Sequence, residues 1–267
     1  MKKNERAAAI VRTIVVSLIA VLFVVPLVWM VLSSLKTAPE VFARPFHWLP
    51  ARVQWQNYAT VWMNEEASML RAFANTLYIA LFSIIGQMFI SSLAAYSFAK
   101  INFKGKQVVF MLFLSSMMVP SQLTIIPRFM LFKTIGLYNN LWAIILPAFF
   151  GATSIFMLRQ FYMGLPNDLI EAAKIDGAGH LRIFLRIMLP LTKAALMSLI
   201  ILAFISSWNE YMAPLIFLVK KELYTVSQNI QWYMLDEFKE HNLTMAAATS
   251  AIVPVVILFI VGQKYFV

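Results

Sequence analysis

The chain has 267 residues, 61% of them hydrophobic, and only 13% are Asp, Glu, Lys or Arg, against about 25% in soluble domains. With a mean hydropathy of +0.76, that balance excludes an ordinary soluble domain and predicts a polytopic membrane protein. The formal charge of +10 does not indicate nucleic acid, because the basic residues punctuate apolar runs instead of forming a patch, and the lack of cysteine excludes a disulfide scaffold or a cysteine-ligated metal.

Six segments are long and apolar enough to cross about 30 Å of hydrocarbon. They lie at approximately 13–35, 73–98, 108–127, 141–161, 194–219 and 244–262, so the predicted fold class is all-α, with one transmembrane domain over 1–267. Lys2, Lys3 and Arg6 precede the first run in the manner of a signal peptide. That run is too long for a signal h-region and no small-residue cleavage site closes it, so it reads as a retained first helix.

Residues 36–72 include "WLPARVQWQNYATVW", with Trp48, Trp55 and Trp62 at intervals of seven. This spacing predicts either a helix lying at the membrane interface or a small cap packed on the spans. The compact turn "KINFKGK" follows the second span, and further Lys and Arg residues lie between the fourth and fifth. Basic residues collect on the cytoplasmic side, so both termini are expected there.

The spans carry Pro26, Pro120, Pro147, Pro214 and Pro254. An interior proline removes an amide donor and clashes with the preceding turn, so each is expected to bend or open its helix. In lipid the freed carbonyls need partners from other helices, hydroxyls or a lined cavity. Gly86, Ser91, Ser92, Ala94 and Ala95 in "GQMFISSLAAYS" suit close helix packing. Repeated interruption favours a protein that changes shape, such as a transporter.

The fifth span contains "FISSWNEYMAP". Ser206, Asn209 and Glu210 share one side at helical spacing and offer a polar stripe. A carboxylate at that depth is costly. Glu210 is therefore expected to pair within the bundle or snorkel outward, or else to line or gate a solute pathway.

Between the fourth and fifth spans lies the loop 166–190, with "EAAKIDGAGHLRIFLRIMLP". Asn167 can cap a first short helix that has Asp168 and Glu171 near its positive end. "GAG" at 177–179 permits a tight turn, and a second helix is expected to halt at Pro190. On that helix Leu181, Phe184, Leu185 and Met188 fall on one side and Arg182 and Arg186 on another. Helices this short do not repay their nucleation cost. They must dock, on the chain's own helix ends or on a partner.

The only histidines, His47, His180 and His241, form no catalytic or metal spacing, and no GxxxxGK[ST] loop is present. No cofactor or metal is expected in this chain, and it is not expected to be an enzyme. Any ATP-driven work must come from another subunit.

Glu171, Ala172, Ala173, Gly177, Ile187, Leu189 and Pro190 match E-A-A-x3-G-x9-I-x-L-P without a gap. This resembles the EAA loop of permease subunits of bacterial ABC importers. "QNYATVW", "LPNDLIEAAKIDGAG", "WNEYMAPLIF" and "GQKYFV" resemble the carbohydrate-uptake branch, particularly the second permease of maltose-type systems. The resemblance implies the six-helix importer fold, a second related permease, two copies of a cytoplasmic ATPase that bind ATP and Mg, and an extracytoplasmic sugar-binding protein that delivers the sugar. It also implies that Glu171 is the acidic contact to the ATPase, that Ala172 and Ala173 permit close approach, and that Gly177 forms the bend between two coupling helices. Asn209 and Glu210 are then candidates to face the translocation pathway.

Two departures stand out. Family members usually continue past the Tyr–Phe pair into a glycine-containing tail with a possible ATPase contact, whereas this sequence stops at Val267. "YTVSQNIQWYM" lacks the proline and glycine often found after this threonine, which points to a different outer gate or binding-protein contact. The rival reading is an ion-coupled secondary transporter, for which Glu210 is the evident intramembrane acid.

Overall fold

The computed structural model describes residues 2–235 and 240–263, and of residues 2–7 the backbone alone. Within the "GQKYFV" ending, Lys264 and the three residues after it lie outside the described residues. All regular elements among the described residues are helical. Four helices or helical stretches are long and apolar enough to cross a membrane: Ala8–Ser34, Met69–Lys100, Trp142–Gly164 and His241–Gly262. Two bent pairs satisfy the same test, Lys106–Ser116 with Ser121–Thr134 (89°) and His180–Leu191 with Lys193–Trp208 (76°), giving up to six spans. The chain is an all-α, multi-pass membrane protein.

It divides into two compact units. The first comprises residues up to Leu70 together with Asn229–Val253. Helix α1 (Lys2–Ser34) presents an exposed apolar surface along its span, as a helix bathed in lipid does. Beyond it come α2 (Ala38–Val41) and α3 (Gln56–Met63). Polar side chains tie this extension down. Asn57 donates to the carbonyls of Ser34 (2.8 Å) and Lys36 (2.9 Å) and accepts from Asn242 (3.1 Å). Trp62 Nε1 donates to Ser250 Oγ at 3.1 Å, and Tyr233 donates to the Ala67 carbonyl.

The three tryptophans do not share a helix face. Trp48 lies in a loop, Trp55 sits just before α3, and Trp62 is inside it. Pro45 and Pro50 lie in the non-helical stretch between α2 and α3, where the missing amides oppose one continuous helix.

The second unit comprises Arg71–Gln228 and the chain from Pro254 onward. It contains most of α4 (Met69–Lys100), then α5 (Lys106–Ser116), α6 (Ile125–Thr134), α7 (Trp142–Ala148) and α8 (Ala152–Gly164). After α9 (Asp168–Ile175) come α10 (His180–Ile183), a π-helical turn over Phe184–Met188, α11 (Leu189–Leu191), α12 (Lys193–Trp208) and α13 (Met212–Phe217). The segment around "YTVSQNIQWYM" forms α14 (Val226–Leu235), and α15 (His241–Gly262) closes the described chain.

Prolines divide into two kinds. Pro26 and Pro254 lie inside uninterrupted helices. Pro120 ends the break Met117–Pro120, Pro147 is the penultimate residue of α7 before the break at Phe149–Gly151, and Pro214 follows the break at Asn209–Tyr211. The expected fifth span over 194–219 therefore ends as a helix at Trp208. A proline ring at position 214 opposes the carbonyl four residues earlier, that of Glu210, and the chain resumes only as the short α13. Close packing at Gly86 is confirmed by sterics: a Cβ there meets the Phe149 ring at 2.2 Å.

Candidate functional site

Two regions of the second unit bring predicted site residues together. The first is the segment between α8 and α12. Asn167 does not cap α9 through its side chain. Its Oδ1 accepts from Lys100 Nζ at 2.6 Å, and the same ammonium donates to the Leu165 carbonyl at 2.7 Å. A cation at the C-terminus of α4, where it complements that helix's dipole, thus holds the entry to α9.

The end of α9 is a Schellman motif. The Ala178 amide donates to the Ala173 carbonyl (2.9 Å) and the Gly177 amide to that of Lys174 (3.0 Å). Gly177 has φ +74 and open space where a Cβ would stand. Glycine is required there for its backbone angle, not for room.

The second helix docks on a face different from the expected one. Ile183, Phe184 and Met188 are buried, whereas Leu181 and Leu185 are exposed. Both sets obey helical periodicity, so the apolar stripe is wider than one face and tertiary contact selects its centre. Tyr96 makes that selection, with its hydroxyl 3.0 Å from His180 Nδ1 and its ring 5.4 Å from that of Phe184. Each large side chain withdrawn from water contributes about 1.5–3 kcal/mol, which offsets the nucleation cost of such short helices.

Nor does the helix halt at Pro190. It passes through the π-turn and ends at Leu191, with Thr192 as its cap. The wider turn removes the demand for an amide where proline has none. Glu171, Ala172, Gly177 and Pro190 are exposed, Ile187 and Leu189 are half-buried, and Ala173 is buried in the chain's own core. Ala173 is thus unavailable for close approach to a partner.

The second region is a cavity of about 360 Å³ where the three helix breaks converge. Ser83 and Gln87 of α4 line it, with Gln122 and Arg128 from the bent third segment, Ser206 from the last turn of α12 and Glu210 from the break after it. Irregular backbone at membrane depth is tolerated where it lines such a cavity. Asn209 does not join them. Its side chain folds back to donate to the Ile205 carbonyl at 2.8 Å, because the helix ends before the predicted stripe is complete. Glu210 has two positions in one: Oε1 accepts from the Ala213 amide at 2.9 Å and the residue lines the cavity.

Arg128 escaped the sequence reading. Its guanidinium lies over the Phe217 ring, 5.0 Å from the centroid, and its Nε is buried without a hydrogen-bond partner. The signal available was a single cation in the apolar run "IIPRFML". Hydroxyls, amides and both signs of charge equip this cavity to hydrogen-bond a polar solute. Among the described residues, no group of three His, Asp or Glu side chains is placed to hold a metal ion.

Broken helices around a polar cavity, in an all-α multi-pass chain, define a membrane transport subunit. Residues 87–267 match the family described as binding-protein-dependent transport system inner membrane components, and the chain belongs to that family. Its members are ABC-transporter permease subunits, not themselves catalytic. The arabinooligosaccharides transport system permease protein AraQ of Bacillus subtilis (strain 168) is 32% identical over 96% of this chain and 91% of its own length. The diacetylchitobiose uptake system permease protein NgcG of Streptomyces coelicolor is 29% identical, covering 98% of this chain and 86% of its own. The sn-glycerol-3-phosphate permease protein UgpE of Pectobacterium atrosepticum is 29% identical over 95% and 92%. In fold, the chain matches a bacterial ABC transporter that imports the acidic polysaccharide alginate, with a TM-score of 0.87, 23% identity, and coverage of 99% of this chain and 98% of that one.

Proposed function

We propose that this chain is one permease of an ATP-driven sugar importer, the counterpart of the second permease in maltose-type systems. It pairs with a related permease, receives sugar from an extracytoplasmic binding protein, and is driven by two copies of a cytoplasmic ATPase that hold ATP and Mg. The sugar class is supported by the substrates named for AraQ and NgcG. A cavity whose walls offer hydroxyl, amide and charged groups suits a hydroxyl-rich solute.

The observation that carries the coupling role is the split character of residues 168–191. One face is fixed to the chain's own α4 and α8, and the other leaves Glu171, Ile175, Leu181 and Leu185 exposed. An acidic group beside exposed aliphatic residues, on a rigidly held element, is equipped to enter a cleft of the ATPase. Gly177 sets the angle between the two coupling helices, with Ala172 allowing close approach. Ile187, Leu189 and Pro190 hold the second helix against the entry to α12.

On this reading the loop faces the cytoplasm with both termini. Closure of the ATPase pair on ATP pulls α9–α11, rocks α8 and α12, and moves the walls of the cavity that contains Ser206 and Glu210. Nucleotide and solute must bind the two states unequally for this to work.

The test is uptake by the reconstituted permease pair and ATPase in sealed vesicles. ATP without an ion gradient is expected to drive uptake, and Glu171→Lys to abolish it while membrane insertion persists. Uptake driven by an ion gradient without ATP would falsify the importer reading in favour of a secondary transporter.

A further inference from the structure

We propose that Arg128 and Glu210 select a solute without net charge, which lies between them and hydrogen-bonds to both, with Ser83 as a third contact. The inference rests on the reading of their cavity as part of the solute path, and it names the charge class that passes.

Helix α13 holds the two charges apart. The Glu210 carboxylate is tied to the start of that helix, where its Oε1 accepts from the Ala213 amide at 2.9 Å. The Arg128 guanidinium is tied to its end, 5.0 Å from the centroid of the Phe217 ring. Phe217 is fully buried and packs on Phe129 and Phe132, with ring centroids 6.3 and 5.5 Å away. Ala213 and Phe217 are separated by about 6 Å along the helix axis. Each charge therefore has its own anchor. The charge of Glu210 acts on Arg128 across the cavity, yet among the described residues the two form no ion pair within 4 Å.

Hydrogen-bonding capacity is left over on both sides. Arg128 Nε is buried without a partner, and a guanidinium offers donors but no acceptor. Glu210 Oε2 accepts from none of the described residues. Ser83 Oγ, in the same cavity, is also buried and unpartnered on a side chain 3% exposed. Gln87 differs, because its Nε2 is spent on Ser154 Oγ at 2.9 Å.

A sugar hydroxyl both donates and accepts. Adjacent hydroxyls of an uncharged sugar can accept from Arg128 and donate to Glu210 at once, and bonds to ionised partners are the stronger kind. The two protein charges then offset each other across the solute. A carboxylate-bearing sugar gains Arg128 but sets its own charge against Glu210. An ammonium-bearing sugar meets the reverse. Either leaves a like-charge contact among half-buried groups, and such a contact rejects the solute.

The test is saturation-transfer NMR on the purified full chain in nanodiscs, with glucose, ionised glucuronate and ionised glucosamine as competing probes. Glucose is expected to bind at least five-fold better than either charged sugar. Glu210→Gln keeps an acceptor for the Ala213 amide and should raise glucuronate about tenfold relative to glucosamine. Arg128→Gln should move the same ratio about tenfold the other way. A misfolded variant weakens all three probes together and cannot produce opposite shifts. Ser83→Ala should weaken glucose about threefold and leave the ratio unchanged. No binding of glucose, equal binding of the three probes, a native preference for glucuronate, or a ratio unmoved by Glu210→Gln would each overturn the proposal. ATP-driven uptake in vesicles is scored separately. Its absence beside the expected NMR pattern removes the importer reading and leaves this site, whereas its presence beside equal probe binding removes this site alone.

Discussion

Lys100 Nζ lies 2.6 Å from Asn167 Oδ1, across the junction of a long span and the proposed coupling segment. The same ammonium also holds the Leu165 carbonyl, so one side chain fixes where the segment leaves the membrane-spanning helices. Lys100→Met removes both hydrogen bonds. It is expected to cost about 1.5 kcal/mol, at the low end for hydrogen bonds to charged groups because the partners are partly solvated. Hydrogen exchange over residues 168–191 should accelerate several-fold. Unchanged exchange there would show that the tether holds nothing.

At Gly177 the constraint is angular, since φ is +74 and a Cβ would meet nothing within 4 Å. An ordinary L-residue at such an angle costs about 1–2 kcal/mol, while Asn visits it more readily. Gly177→Asn should therefore retain most transport and Gly177→Val should lose most of it. Equal loss in both would point to a need for bare backbone at a partner surface.

Leu181 and Leu185 are exposed while Phe184 is 3% exposed, although all three lie within one short stretch. Leu185→Asp is expected to leave thermal stability within about 0.5 kcal/mol but to reduce co-purification of the ATPase at least tenfold. Phe184→Ala should destabilise the segment itself by about 3–5 kcal/mol. Thermal melts beside pull-down yields distinguish the two effects.

Glu210 both caps α13 and lines the polar cavity. Glu210→Gln keeps an oxygen for the Ala213 amide but removes the charge, whereas Glu210→Ala removes both. If the charge serves the pathway, both variants lose uptake. If only the cap matters, Gln behaves as the native residue and Ala alone is impaired, by about 1 kcal/mol of local stability.

Glu40 titrates below the usual carboxylate range, chiefly because the Thr37 amide and then the Thr37 hydroxyl donate to it; burial opposes them, and the Ala51 amide and the charge of Lys36 add smaller downward shifts. A folded-state value below the unfolded one, about 4.3, contributes stability that is complete above the unfolded value. That contribution is lost as pH falls through the lower, folded value. Protection factors over residues 36–51, which correct for the intrinsic pH dependence of amide exchange, should therefore fall in the wild type as pH drops below about 4. Glu40→Gln should flatten that dependence.

Much of the architecture was legible because apolar length is a local property. The runs at 13–35, 73–98 and 244–262 correspond to uninterrupted helices, and Gly177 was readable as a turn because few residues suit its backbone angle. Pro120, Pro147 and Pro214 announced interruptions. The outcome at each proline was not local. Pro26 and Pro254 stand in helices that continue, since whether a freed carbonyl opens the helix depends on what packs beside it.

The sequence by itself determined the all-α, multi-pass class and the presence of a polar group at residue 210, because hydrocarbon thickness and the cost of a carboxylate act on the chain one segment at a time. Only the tertiary structure decided that three breaks meet around one cavity, that Arg128 shares it with Glu210, and that Asn209 turns away. It also decided which stripe of the second loop helix is buried, since Leu181 and Phe184 are equally apolar to periodicity. Tyr96 and Tyr162, distant in sequence, supply the surface that takes Phe184 and leaves Leu181 outside.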